Sequence, residues 1–184
     1  MNQINRGRDI NFKLVEYSSK YYDTVKKFKC GNSVIDDYIV NKAKDDIGTV
    51  TYLVINADIP EVIGFISLSC SGIKHNFCAD SGYPVSETKA AIEIKYFAIA
   101  SKFHKLLYDD SDEHFYFSDM VFCEALKKCR YISENIIGAE YIMLYSVDTA
   151  KRFYKRNLFE TFTEYMSRDN INFLEGCTPM YICL

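Results

Sequence analysis

Apolar and polar positions along this chain of 184 residues change period several times, and each change marks an element. "FKLVEY" (12–17) alternates and predicts a first strand. Helical spacing comes next across 20–47, where "SVID" (33–36) sets a serine three residues before an acid, a capping-box-like start. "TVTYLVIN" (49–56) and "EVIGFISLSCSGI" (61–73) read as strands joined by the turn "ADIP", an antiparallel hairpin. Residues 74–88 are polar, carry Gly82 and Pro84, and predict a loop. "AAIEIKYFAIA" (90–100) is the strongest strand signal. Residues 119–135 predict a helix with Val121, Ala125, Cys129, Ile132 and Ile136 along one face. "EYIMLYSV" (140–147) predicts a buried strand, and "DTAKRFYKRNL" (148–158) a helix capped by Asp148. "FETFTEY" (159–165) and "PMYICL" (179–184) close the chain as strands. Strand, helix and strand across 90–147 imply a right-handed crossover and a parallel pair in a mixed sheet. The class is α/β or α+β.

Composition narrows the function classes. Apolar residues make 48% and charged residues 26%, ordinary for a globular chain, and the length suits a single domain over 1–184. No apolar run is long enough for a membrane helix, and the first ten residues, "MNQINRGRDI", lack a signal core. The expected location is cytoplasmic. A net charge of -3 and a pI near 5.7 argue against general nucleic-acid binding but leave room for a local basic patch. Seven cysteines include no Cys-x-x-Cys pair, and the six-residue step from Cys123 to Cys129 is wrong for zinc. They read as reduced thiols. His75, His104 and His114 have no metal or triad spacing and read as surface histidines. No metal is expected.

Two stretches resemble the GNAT superfamily of N-acetyltransferases. One is "IEIKYFAIA" with the helix after it. The other is "AKRFYKRNLF" (150–159), similar to the family's Ala-x-x-Phe-Tyr-x-x-x-Gly-Phe signature. "FKCGNSVIDDYI" (28–39) resembles the Phe-x-Cys-Gly segment of GNAT toxins. The resemblance implies a mixed, mostly antiparallel central sheet with one parallel strand pair splayed open, flanked by helices. It implies transfer of an acetyl group from acetyl-CoA, as co-substrate, to a primary amine by direct attack. The backbone of Phe97, Ala98 and Ile99 would pair with the pantetheine arm, and the Phe97 N–H would stabilise the oxyanion. Glu93, in "EIKYFAI", takes the place of a catalytic base. It shares a strand face with Phe97 and, as a strand residue, could instead pair with Lys95 or mark the strand's solvated end. Glu87 could serve through water. Tyr154 takes the place of the acid that protonates the leaving thiolate. It also shares a helical face with Ala150, Phe153, Asn157 and Leu158, as a core tyrosine would.

The segment "YDDSDEHFYFSDM" (108–120) departs from the family's pyrophosphate loop, [Arg/Gln]-x-x-Gly-x-[Gly/Ala]. Counting back from "VFCEAL" (121–126), Glu113 stands for Arg or Gln, Tyr116 for the first Gly and Ser118 for the second. In one reading the acidic part bulges into solvent, Ser118 caps the helix, and N–H groups of Ser118, Asp119, Met120 and Val121 still face a pyrophosphate. In the other, CoA binding is weakened or lost. Leu158 replaces the signature's Gly, and Val147 sits where many members have Asn. Lys151, Arg152, Lys155 and Arg156 form a basic face that is solvated or holds a CoA 3′-phosphate or RNA; Lys127, Lys128 and Arg130 form a weaker cluster. Three functions stay open: an N-acetyltransferase for a small-molecule or protein amine, a GNAT toxin acetylating aminoacyl-tRNA, and a non-catalytic GNAT-like binding module. Beyond the acceptor, the expected partners are tRNA under the toxin reading and a second copy in a homodimer, with no membrane.

Overall fold

The computed structural model describes residues 6–80, 82–109, 114–167 and 176–184. Among these residues there are eight strands: β1 (Phe12–Glu16), β2 (Thr49–Asn56), β3 (Val62–Cys78), β4 (Pro84–Ile99), β5 (Tyr141–Val147), β6 (Glu160–Thr161), β7 (Met166–Ser167) and β8 (Cys177–Cys183). Joining them are four described α-helices: α1 (Tyr22–Val25), α2 (Ser33–Asp37), α3 (Phe117–Ile132) and α4 (Lys151–Arg156). The strands hydrogen-bond in the order β1-β2-β3-β4-β5-β8-β6, with β7 on β3. β4 and β5 are parallel, as the strand–helix–strand pattern implies, while the β1–β2, β3–β7, β5–β8 and β6–β8 ladders are antiparallel. Among the described residues no helix is long and apolar enough to cross a membrane.

The chain forms two compact units. The first comprises Met1–Leu68 with Tyr96–Lys127, the second Ser69–Lys95 with Lys128–Leu184; β3, β4 and α3 run through both. In the first, Ile39, Leu53, Val54, Ile63, Phe65, Phe117 and Val121 are fully buried. Burial of each large side chain stabilises by about 1.5–3 kcal/mol. Aromatic contacts tie the segments after α1 and α2 to the strands: Phe28 meets Phe65 edge-on at 5.6 Å, and Tyr38 stacks on Tyr96 at 4.0 Å. The second unit packs Ile73, Ala91 and Met143 against Tyr141, Tyr145, Phe162, Met166 and Tyr181.

Several boundaries differ from the sequence pattern. The expected loop 74–88 is largely strand: β3 runs to Cys78 and β4 begins at Pro84, around a turn in which Gly82 holds φ 80°. This ribbon is mostly exposed, so it lacks the apolar face that would mark it in the sequence. β7 supports it, with Asn76 N–H donating to the Tyr165 carbonyl at 2.7 Å. His75 therefore stands in β3, its ring 5.6 Å from that of Tyr141, and is no loop histidine.

The cap of α2 is Asn32, not Ser33; its Oδ1 accepts from Val34 and Ile35 N–H. Asp148 is not the cap of α4 either. It opens a 3-10 turn and pairs with Lys151 Nζ at 2.8 Å. The apolar face of α3 stops short of Ile136, which is exposed, because Ser133–Ile137 widens into a π turn. One added residue per turn shifts the helical phase of this segment, so Ser133 turns inward and its hydroxyl donates to the Ala139 carbonyl at 2.5 Å. The strand expected over 159–165 shortens to β6.

Candidate active site

The β4–β5 ladder covers four pairs, Ala91↔Tyr141 to Ile94↔Leu144, and stops there, although β4 continues to Ile99 and β5 to Val147. β5 remains paired with β8 as far as Val147↔Cys177. Within the first unit, β3 flanks the last residues of β4. Gly64 makes that approach possible, since a Cβ there would meet the Ala98 carbonyl oxygen at 2.6 Å and Ile99 Cδ1 at 2.7 Å. Ala100 N–H donates to the Ile63 carbonyl at 2.8 Å. Phe97 is half-buried with its ring 4.7 Å from that of Phe122 on α3; Ala98 and Ile99 are buried.

Glu93 lies in the second unit, buried and opposite Met143 in the parallel register. Lys95, two residues on along the same face, is exposed. Tyr154 is also in the second unit and is 9% exposed. Burial pushes its phenol pKa above the ordinary range, so it stays protonated at working pH. Its backbone carbonyl accepts from Phe159 N–H at 3.0 Å, while Leu158 N–H donates to the Lys155 carbonyl at 3.1 Å. These two bonds make a Schellman motif, and the rings of Tyr154 and Phe159 meet at 5.9 Å as its usual apolar contact. The left-handed residue the motif requires is Leu158, φ 68°, where the family signature has Gly.

The start of α3 is capped differently from the expectation. Leu107 bridges Tyr116, Tyr108 N–H donates to the Phe115 carbonyl, and Phe117 N–H donates to the Leu106 carbonyl. The chain is therefore pinched on both sides of the acidic stretch. Asp110, Asp112 and Glu113 lie outside the described residues, so Glu113's expected place in the loop does too. The cap position belongs to Tyr116 and not to Ser118, which is the second helical residue. Asp119 is 1% exposed and accepts from Tyr116 N–H at 2.9 Å, the carboxylate half of a capping box. Asp119 and Met120 N–H groups both turn to the Tyr116 carbonyl, at 3.0 and 3.3 Å. Helical geometry directs the buried Val121 N–H to Phe117. Of the donors expected to meet a pyrophosphate, those of Asp119 and Met120 are thus turned onto the helix start.

No protein-family model and no curated protein matches the chain. Solved structures do. A tyrosine-to-phenylalanine mutant of the toxin AtaT, bound to the C-terminus of the antitoxin AtaR and acetyl-CoA, has a TM-score of 0.63 at 11% identity over 94% of this chain and 92% of that one. AtaT complexed with acetyl-methionyl-tRNAfMet has 0.63 at 14%, over 94% and 95%. A GNAT-family acetyltransferase from Staphylococcus aureus MU50 has 0.54 at 16%, over 95% and 99%. The chain has the GNAT fold. The parallel β4–β5 pair and the strand order are the GNAT arrangement expected from "IEIKYFAIA" and "AKRFYKRNLF". Within the GNAT fold, Phe97, Ala98, Ile99 and Ser118 to Val121 lie in the first unit, and Glu93 and Tyr154 in the second. The basic face of α4 presents Arg152, Lys155 and Arg156 as exposed residues, while Lys151 is engaged by Asp148. Asn32 and Asp36, which fix the "FKCGN" turn, were not foreseen as a pair. Asp36 is buried and accepts from Cys30 N–H at 2.8 Å.

Proposed function

We propose that this protein is an acetyl-CoA-dependent N-acetyltransferase that acetylates the α-amine of an aminoacyl-tRNA, as a toxin would. The observation that carries the acceptor is the likeness, over 94% of the chain, to AtaT complexed with acetyl-methionyl-tRNAfMet. The exposed Arg152, Lys155 and Arg156 on α4 give an acidic protein a local surface for RNA phosphates. By the same analogy an antitoxin would be a partner.

Acetyl-CoA supplies the activated acetyl group as a thioester. The backbone of Phe97, Ala98 and Ile99, past the end of the β4–β5 ladder, is where the pantetheine arm would add as a strand. Phe97 N–H is the candidate oxyanion donor. Removing one such donor costs about 3 kcal/mol in known sites. Glu93 is the candidate base for the ammonium, directly or through water. Tyr154 is the candidate acid for the leaving thiolate. Its raised pKa makes it a weaker acid than a free phenol, but the desolvation that raises it would penalise a nearby thiolate too, so the two effects offset. Because the Asp119 and Met120 N–H groups are turned to the Tyr116 carbonyl, CoA affinity is expected to rest mainly on the pantetheine arm.

Incubation with labelled acetyl-CoA and a panel of aminoacyl-tRNAs, small amines and lysine peptides tests the proposal. Label on the aminoacyl group of tRNA supports it. Label on small amines or peptides alone moves the acceptor to the other N-acetyltransferase class. A melting temperature unchanged by acetyl-CoA, with no label on any acceptor, leaves the non-catalytic module.

A further inference from the structure

A cavity of about 330 Å³ lies wholly within the first unit, lined among others by Thr24, Lys27, Lys29, Glu61, Ser101 and Lys102. None of these residues takes part in the acetyl-transfer proposal. The floor is Phe28 and Val62, 2% and 4% exposed, with Phe28 held against Phe65. The walls are fixed by backbone bonds and not by side-chain chance. Ser101 N–H and hydroxyl both donate to the Lys29 carbonyl, at 2.9 and 3.2 Å, which clamps the turn after β4 to the segment after α1. Lys27 N–H donates to the Thr24 carbonyl at 3.2 Å, and Phe28 N–H to that of Val25 at 2.9 Å.

The charge in the cavity is out of balance. Three lysines line it with one carboxylate, that of Glu61, which is paired with Lys102. Asp36 reaches Lys29 Nζ at 4.0 Å, the outer limit of an ion pair, and its other oxygen is committed to Cys30 N–H. An otherwise acidic chain thus gathers positive charge, two hydroxyls and an apolar floor in one preformed recess. Lys27 is left with no ion-pair partner among these groups, and a phosphate monoester, at about −1.5 to −2 near neutral pH, can engage it and compete with Glu61 for Lys102 more strongly than a single carboxylate can. The floor of Phe28, Pro60 and Val62 suits a ribose or base beside the charge. The volume is at the small end of ligand pockets, enough for one nucleotide unit.

We infer that this cavity binds a phosphorylated nucleoside, with Lys27 and Lys102 as the phosphate contacts. The site is separate from the start of α3 and from β4 residues 97–99, and the inference does not depend on acetyl transfer. Two sources share this chemistry: a free nucleotide and a nucleotide unit of an RNA strand.

The test is titration of the full chain, without acetyl-CoA, with adenosine 5′-monophosphate and separately with a short single-stranded RNA. Wild type and a Lys27→Ala/Lys102→Ala double variant are compared at two salt concentrations, with thermal melting as the check on folding. Loss of two charge-assisted contacts lowers affinity at least about tenfold and flattens the salt dependence. A drop for the mononucleotide assigns the site to a free nucleotide, and a drop for RNA alone assigns it to a strand; both support the inference. Binding of neither probe by wild type, or equal binding by a folded double variant, overturns it. Should the double variant unfold, Lys27→Glu alone replaces it, with the same outcomes.

Discussion

Leu158→Gly tests the backbone of the segment that holds Tyr154. Leu158 has φ 68° and is 74% exposed, so its side chain adds little burial while its Cβ bears the cost of the left-handed region. That cost is about 1–2 kcal/mol for a non-glycine residue. Glycine relieves it, and the greater freedom of glycine in the unfolded chain takes back about 0.4–1 kcal/mol. The net gain is about 0.5–1 kcal/mol. For a chain of this size each 1 kcal/mol moves Tm by about 2–4 °C. Leu158→Gly should therefore raise Tm by about 1–4 °C, measured by circular dichroism, and raise the urea midpoint with an unchanged slope. Leu158→Ala is the control: it removes the same exposed side chain but keeps a Cβ in the strained conformation, so it should give no gain. If the glycine variant melts at or below wild type, strain at the Schellman position is not present and the reasoning fails. An equal rise in the alanine variant would assign the gain to the lost side chain instead.

Tyr154→Phe should lower turnover about a hundredfold or more while Tm changes little, since only a hydroxyl is lost; a wild-type rate would take Tyr154 out of the chemistry and leave it as core. Glu93→Gln should flatten the rise of rate with pH, and an unaltered pH profile would move the base to Glu87 or to water. Gly64→Ala should lower stability by about 1–3 kcal/mol, because the new Cβ would sit 2.6 Å from the Ala98 carbonyl oxygen; an unchanged urea midpoint would show that β3 and β4 are not in such close contact. Burial pushes the thiols of Cys30 and Cys129 up to about 11 and about 12, above their value in the unfolded chain. Raised folded-state values mean the stabilisation is whole below the unfolded thiol pKa and is lost as pH climbs towards the folded ones. Tm should thus decline from about pH 9 upwards, and Cys129→Ala should make the decline shallower; a slope the same in both proteins would count against the buried thiol.

The sequence by itself determined the elements whose faces are apolar. β1, β2, β5 and the apolar second half of β4 stand close to where alternation and apolar runs put them, because a strand buried against a core must keep its period to remain buried. The parallel β4–β5 pair came from strand, helix and strand, since the helix between them carries the chain back to the end where β4 began. Glu93, Tyr154 and the odd leucine at 158 could also be singled out as candidates, because they fall in short stretches that resemble GNAT motifs. Tertiary structure alone decided the rest. The β3–β4 ribbon past Ile73 has exposed faces and so leaves no hydropathy signal, yet β3 finds backbone partners there in β7, a strand from the far end of the chain. The start of α3 turned on whether Tyr116 or Ser118 held the cap, which depended on the Leu107 bridge and on a buried Asp119. The lysine-lined cavity joins residues 24–29, 60–62 and 100–102, three segments with no shared period. Spacing along a chain reports on faces; it is silent about which distant charges a fold brings into one recess.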